Sequence, residues 1–289
     1  DFLNPDFYLV GEYDKQSGDM LEEVNSQVAQ NKAMSKRMSI ENAELAKIAI
    51  NGFITLKVSY ANMLADMCEH IPGGNVDIVS DALGMDSRIG RKYLTGGLGF
   101  GGPCFPRDNV ALAFVGDMLG VSTNIPKANH TFNQSLSVST VKKLEPYLNK
   151  NKKIAVLGLA YKPLSHVVEE SPGVFLAKSL ADAGYNVTAY DPLANDSARD
   201  VLKDYVLITD TISECVSDAE TILVTTTDEA YKNLINKGYI GIKKEVTIID
   251  FWRYLGEEAK SCSNINYVPM GVCLNEDESL SKLSSLWEL

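Results

Sequence analysis

Paired cysteines are missing from this chain. Its five, Cys68, Cys104, Cys215, Cys262 and Cys273, are odd in number, scattered and never in CxxC spacing, which argues against a disulfide framework and a structural zinc site and favours a reducing cytoplasm. Histidine is scarce. His70, His130 and His166 form no HExxH or similar ligand pattern, so no metal is expected. Positive charge is in deficit, with 27 Lys and Arg against 38 Asp and Glu and a net charge of -11. Affinity for a nucleic-acid backbone comes largely from clustered cations that release counterions, so such binding is disfavoured and any phosphate site must be local. Long apolar runs are also lacking: no stretch approaches the roughly 20 residues needed to span a bilayer. The opening has neither an initiator methionine nor the basic and apolar regions of a signal peptide, so Asp1 reads as an internal cut with a segment missing upstream.

What is present is a globular composition, 45% hydrophobic over 289 residues, enough for roughly two domains that each bury a core. DFLNPDFYLVGEYD reads as a loop and a short strand, and GDMLEEVNSQVAQ as a helix. From the N-cap Ser39, a proline-free helix is expected to run to about Ile71. Its polar residues Glu44, Lys47, Asn51, Thr55, Ser59 and Asn62 recur at steps of three or four and share one face, while Ile48, Phe53, Leu56 and Leu64 populate the rest. That face is either a solvated stripe or a polar seam lining a site. Helical segments continue through VDIVSDALG and NVALAFVGDMLG, giving a mostly helical middle domain.

From Lys152 the pattern changes. KKIAVLGL, NVTAY, YVLIT, TILVTTT and EVTIIDF are short β-branched runs alternating with helical segments, the signature of a parallel α/β sheet. The first crossover carries Ser171 as N-cap, Pro172 at the first helical position and Gly184 at the end. Residues 138–152 read as the connection between domains, and the polar tail after Gly271 is expected to be partly mobile. The fold class is therefore α/β, a helical central domain followed by a Rossmann-like parallel sheet.

VLGLAYKP after the first strand invites a dinucleotide assignment, with Asp191 at the end of the second strand where a ribose-binding acid would sit. The glycines refuse it. Gly158 is followed by Leu, Ala, Tyr and Lys rather than by the rest of GxGxxG. Lys162 and Arg253, just past two strand ends, are either ordinary exposed cations or a pair able to neutralise a diphosphate. The loop GGLGFGGPCFPRD is more specific. Five glycines in seven residues let backbone approach a ligand, and Pro103 and Pro106 stiffen the flanks of Cys104. A thiol with a reference pKa of about 8.5 is only partly ionised at neutral pH, so a nucleophile benefits from nearby cations, here Arg107 and, through folding, Lys47. Inert packing of Cys104 and an N-cap role for Asp108 are the competing readings.

The residues resemble the UDP-glucose 6-dehydrogenase branch of the nucleotide-sugar dehydrogenases. GFGGPCFPRD is similar to that family's GFGGSCFPKD, ENAELAKIAINGF to its ExxKxxxNxF helix, and MDSRIG and YKP...EES to two further signatures. The resemblance implies an N-terminal NAD-binding Rossmann domain, a helical dimerisation domain and a C-terminal UDP-binding domain. On that plan residues 1–37, with LNPDFYLVG, are a remnant of the first domain, residues 38–140 the helical dimerisation and catalytic domain, and residues 141–289 the UDP-sugar-binding domain. With the GxGxxG half absent, this chain alone is expected to bind UDP-sugar and to turn over little.

The resemblance also implies the chemistry: double oxidation of a UDP-hexose C6 alcohol to a carboxylate with NAD+ as oxidant, through a cysteine thiohemiacetal and thioester. Cys104 would be the nucleophile, Lys47 and Asn51 would stabilise the reacting oxygen, and Asp108 would handle water and protons. The helix face and the glycine loop would then wall one site. Tyr93, Phe100 and Gly101 would contact the sugar, Arg88 a phosphate or a neighbouring subunit's substrate, Lys162 and Arg253 the nucleotide, and Arg107 the NAD pyrophosphate. A homodimer through the long helix is implied. Glu169 stands where many relatives carry an arginine that helps to hold NAD, and Pro103 replaces a serine. UDP-glucose is the expected substrate; the alternatives are a UDP-N-acetylhexosamine or GDP-mannose 6-dehydrogenase, or a non-catalytic nucleotide-sugar-binding fragment.

Overall fold

The computed structural model describes residues 3–236, 238, 240 and 245–284. The chain begins with β1 (Tyr8–Glu12), α1 (Lys15–Val28), β2 (Ser35–Ser39), α2 (Ile40–Glu69), α3 (Val76–Met85), α4 (Phe105–Met118) and α5 (Asn124–Leu144). It continues through β3 (Lys153–Leu157), α6 (Pro172–Asp182), β4 (Asn186–Tyr190), α7 (Asn195–Leu202), β5 (Leu207–Ile208), α8 (Ile212–Val216), β6 (Ala219–Val224), α9 (Glu229–Asn236), β7 (Val246–Asp250), α10 (Gly256–Lys260), β8 (Ile265–Pro269) and α11 (Glu276–Ser284). Contacts group the chain into two compact units, one of Asp1–Ile54 with Arg107–Lys127, the other of Thr55–Pro106 with Ala128–Leu289. The helical middle segment, residues 38–140, is divided between them.

In the first unit β1 and β2 pair in parallel, Tyr8 opposite Ser35 and Glu12 opposite Ser39. A capping box starts α1: the Asp14 carboxylate accepts from the Ser17 N–H at 2.8 Å and the Ser17 hydroxyl accepts from the Asp14 N–H at 3.3 Å. β2, SKRMS, carries no β-branched residue and is unexpected from its composition. Arg37 compensates, its guanidinium meeting Glu12, Asp19 and Glu22. Ser39 ends β2 and starts α2, its hydroxyl accepting from the Asn42 N–H at 3.4 Å.

The second unit is built on a six-stranded parallel sheet in the order β5-β4-β3-β6-β7-β8. Both faces are covered, as all-parallel sheets require. Alternation along β3 sends Ile154 and Val156 to one core with Val174, Leu176 and Leu180 of α6. It sends Ala155 and Leu157 to the other, with Ile222, Tyr231 and Leu234. The α6 boundaries are those expected: Ser171 accepts from the Val174 N–H, Pro172 opens the helix and Gly184 closes it at φ +83°. Residues 138–152 pack on the sheet, with Leu144 buried and Val141, Tyr147 and Leu148 against the first core. The polar tail carries α11; its last residues, 285–289, lie outside the described residues.

α2 has an inverted distribution of polarity. Asn51, Thr55, Ser59 and Asn62 are buried while Phe53, Leu56, Tyr60, Met63 and Met67 are exposed. The polar stripe is thus a covered seam over these four positions, and only Glu44 and Lys47 at its beginning are solvated. Where α2 ends, Glu69 receives the Gly271 N–H at 2.8 Å and Lys143 Nζ at 3.0 Å. Burial disfavours the Lys143 ammonium, but Glu69 and Asp66 outweigh it and hold its pKa above the ordinary lysine value.

Candidate functional site

The first unit brings together three of the residues singled out by sequence, and a fourth beside them. Asn51 donates from Nδ2 to Asp108 Oδ2 at 2.6 Å, and Lys47 Nζ stands 3.7 Å from the same oxygen. Arg107 Nε lies 3.5 Å from Asp108 Oδ1. The steps of four along α2 place Lys47 and Asn51 on one line, and Asp108, in the first turn of α4, meets them from a different helix. Asp108 is buried while Lys47 and Arg107 are exposed. The N-cap reading of Asp108 does not hold, because α4 already begins at Phe105. A sequestered carboxylate held by an amide and two cations can orient water or accept a proton.

The second unit holds the glycine loop and Cys104. Of the five cysteines Cys104 is the exposed one; Cys68, Cys215 and Cys273 are buried and Cys262 is intermediate. Burial pushes the Cys215 thiol up to about 11, so it is inert at neutral pH. The loop before Cys104 is fastened from several directions. Asn62 Oδ1 accepts from the Gly97 N–H at 2.7 Å, and its Nδ2 donates to the Leu98 carbonyl at 3.1 Å. Asn133 takes the Phe100 N–H at 2.8 Å and donates to the Phe100 carbonyl at 2.9 Å. The Gly102 N–H reaches the Glu169 carbonyl at 3.0 Å.

The close approach of residues 169–170 explains two glycines. A Cβ at Gly101 would lie 2.0 Å from the Glu170 carbonyl oxygen, and one at Gly102, already at φ +82°, would meet the Tyr161 ring at 2.6 Å. Phe100, buried, sets its ring edge-to-face with Phe105 at 6.3 Å between centroids. Tyr93 is half exposed at φ +67°. Arg88, largely exposed, forks onto the Asp86 carboxylate. Lys162 is exposed, its ammonium 5.5 Å from the centre of the Tyr161 ring.

Arg253 differs from the solvent-facing cation expected from IDFWR. Its side chain is only 7% exposed, and all five of its N–H groups have acceptors in the protein. Nε and Nη2 fork onto Asp77 at 2.7 and 2.9 Å. The other donors reach the carbonyls of Gly96 at 2.7 Å, Phe251 at 2.9 Å and Met270 at 2.8 Å. It joins α3, the glycine loop and the end of the sheet. The turn that carries it is shaped by Asp250, which accepts from the Trp252 N–H, the Leu255 N–H and the Tyr267 hydroxyl. Burial pushes the Asp250 carboxyl above the usual carboxylate range despite these bonds.

The turn after β3 is the place where a dinucleotide phosphate would settle in an open parallel sheet. Asp191 already fills it. One of its oxygens accepts from the Leu159 and Ala160 N–H groups at 2.8 and 3.0 Å, and the other from those of Leu193 and Ala194 at 2.9 and 2.8 Å. This turn therefore does not fit a dinucleotide, in agreement with its missing glycines. Arg107, exposed in the first turn of a 14-residue helix, does fit an anionic group such as a pyrophosphate. No group of three or more His, Cys, Asp or Glu side chains able to hold a metal occurs among the described residues, and no described helix is long and apolar enough to cross a membrane.

Sequence reasoning missed Asn133 and the clamping role of Asn62. Asn62 lay in the recognised polar stripe, whereas nothing in NHTFNQSLSV marks Asn133.

Comparison with known proteins adds two domain matches. Residues 41–135 match the central-domain model of the UDP-glucose/GDP-mannose dehydrogenase family, and residues 155–257 match the family's UDP-binding domain. A UDP-glucose 6-dehydrogenase of Rickettsia felis is 32% identical over 275 residues, covering 94% of this chain and 61% of the relative. The UDP-glucose 6-dehydrogenase TuaD of Bacillus subtilis is 32% identical over 252 residues, covering 86% of this chain and 54% of the relative. The chain thus spans roughly six tenths or less of the length of these curated relatives. Among solved structures, a UDP-glucose dehydrogenase from Pyrobaculum islandicum superposes with a TM-score of 0.82 at 32% identity, over 94% of this chain and 60% of that one. A UDP-D-ManNAc dehydrogenase from Pyrococcus horikoshii shares the fold, with a TM-score of 0.72 at 20% identity.

Proposed function

The chain belongs to the UDP-glucose/GDP-mannose dehydrogenase family, and from that premise we propose that it carries the substrate-binding and thiol machinery for oxidising the C6 alcohol of a UDP-hexose, UDP-glucose in the first instance, to the uronate. The observation that carries this reading is an exposed thiol, Cys104, at the end of a loop whose backbone is anchored by Asn62, Asn133 and Glu169. A merely packed cysteine would be buried, as Cys68, Cys215 and Cys273 are.

In this reading Cys104 adds to the C6 aldehyde to give a thiohemiacetal. Loss of a hydride from that adduct gives a thioester, and water releases the carboxylate and restores the thiol. Lys47 and Asn51 supply an ammonium and an amide to the oxygen that gains negative charge, each donor contributing about 3 kcal/mol. Asp108, held by those same two groups, takes the proton from the attacking water. When bound, NAD+ accepts the hydride lost at each of the two oxidations, and Arg107 is the residue proposed to meet its pyrophosphate. The backbone of Phe100 and Gly101, with Tyr93, lines the sugar. Lys162 neutralises a phosphate, and Arg88 reaches a phosphate or a neighbouring subunit's substrate. Arg253, which ties the glycine loop to the end of the sheet, is the second cation proposed for the nucleotide. Residues 38–140 act as the helical catalytic and dimerisation segment and residues 141–289 as the UDP-sugar-binding segment.

UDP-glucose is preferred over the alternatives because the relatives named UDP-glucose 6-dehydrogenase reach 32% identity, whereas the likeness to the UDP-D-ManNAc enzyme, at 20% identity, shows the fold alone. The test is a panel of UDP- and GDP-sugars offered with NAD+ to the full-length protein. UDP-glucose should give the highest kcat/KM and twice as much NADH as sugar consumed. Preference for an N-acetylhexosamine or for GDP-mannose would move the assignment within the family. Tight nucleotide binding with no turnover of any sugar would make this a binding module.

Homodimerisation is part of the same reading, and the exposed apolar stripe of α2, Phe53, Leu56, Tyr60, Met63 and Met67, supports it. Large exposed apolar patches mark association surfaces. Light scattering should report an even-numbered assembly, and Phe53→Asp should shift it toward the monomer. An unchanged assembly with that variant would exclude the α2 stripe.

A further inference from the structure

We propose that Asn62 and Asn133 are positioning residues for Cys104, acting through the peptide groups of residues 97–100; the inference rests on the reading of Cys104 as the nucleophile. The loop cannot hold its own shape. The peptide groups of Gly97, Leu98 and Phe100 pair with side-chain amides rather than with a neighbouring strand, and the five glycines of residues 96–102 leave the chain conformationally permissive. A flexible segment leading to a reactive thiol would scatter the sulfur over many orientations.

The two amides supply what a strand partner would. A carboxamide carries a donor and an acceptor in one plane, so it can pair with a peptide as another peptide does. Asn133 closes both polar groups of Phe100, four residues before the thiol. Asn62 takes the Gly97 N–H and the Leu98 carbonyl. The carrier of each amide is stiff: Asn62 is buried on α2 and Asn133 sits on the long α5. The fit is close enough to dictate a neighbour, since a Cβ at Gly99 would lie 2.5 Å from Asn133 Oδ1. No carboxylate, hydroxyl or ammonium could replace either amide, because each lacks the paired donor and acceptor in that geometry.

Asn133→Asp and Asn62→Asp preserve shape while turning one donor into an acceptor that faces a carbonyl. They are to be read by site-resolved iodoacetamide labelling and mass spectrometry, with Cys262 as the half-exposed reference and buried Cys215 as the reporter of unfolding. The labelling rate of Cys104 relative to Cys262 should change at least about threefold while Cys215 stays protected, and in the full-length enzyme kcat should fall roughly tenfold or more with KM within about twofold, as a displacement near 1 Å commonly costs on the order of 100-fold. Unchanged Cys104 reactivity in folded variants overturns the proposal. Should the Asp variants expose Cys215, Asn133→Ser, which removes the clamp without adding charge, decides by the same criteria. Turnover that survives complete alkylation of Cys104 in the parent protein would instead remove the nucleophile reading, while the effect of the amides on the thiol's labelling would still stand.

Discussion

Replacing Cys104 with serine in the full-length protein should lower net oxidation to the carboxylate by at least about 10³-fold, the scale seen when a catalytic nucleophile is removed. The substitution keeps the size of the side chain and its place at the end of the anchored loop. It takes away the polarisable, readily ionised sulfur on which thioester chemistry depends. UDP binding measured by calorimetry should stay within about twofold, because the groups proposed to hold the nucleotide are elsewhere and a binding defect would appear as uniform loss in KM. Lys47→Met, Asn51→Ala or Asp108→Asn should each cost about 10²-fold in kcat, since each removes one donor or the proton acceptor and leaves the thiol in place. Carboxylate formation at parental rates by the serine variant would end the case for covalent catalysis.

Arg253→Met should lower the stability of the second unit by about 3 kcal/mol, because removing one partner of a largely buried, fully hydrogen-bonded ion pair strands the other acceptors. Asp77, at 40% exposure, recovers some hydration, which keeps the expected loss at the lower end of the range for buried pairs. The carbonyls of Gly96, Phe251 and Met270 do not move to water so easily. On the usual scale for a chain of this size the melting temperature falls by about 6–12 °C. Arg253→Lys should recover only part of this, as an ammonium cannot reproduce a planar fork that reaches Asp77 with two donors. Differential scanning calorimetry decides between roles. A melting temperature that holds while UDP affinity collapses would confine Arg253 to the nucleotide site.

The sheet was legible because its signals are local. NVTAY and KKIAVLGL are β-branched runs, and Ser171, Pro172 and Gly184 mark α6 at both ends by chemistry that acts over a few residues. β2 and β8 were not legible. SKRMS lacks β-branched residues and exists as a strand through its pairing with β1 and the anchoring of Arg37 by three carboxylates. INYVP ends in proline, which only an edge strand such as β8 tolerates. The seam of α2 was visible as a periodicity, yet no periodicity tells which side of a helix is covered. The burial of Arg253 was not legible for a related reason: Asp77 lies 176 residues away, so the carboxylate that pairs with it is invisible to any reading by spacing. The motifs around Cys104 and Lys47 were recognisable because residue type and interval suffice to state them.

The carboxylate of Asp191 gives the domain a property that its relatives in shape, the true dinucleotide binders, do not have. Their phosphate-cradling amides are left hungry until a cofactor arrives, so the turn depends on its guest for order. Here the acceptor is covalently attached, and four backbone amides, those of Leu159, Ala160, Leu193 and Ala194, are already satisfied by it. The turn beyond β3 is thus braced from within the chain, by a side chain that arrives from the end of the neighbouring strand.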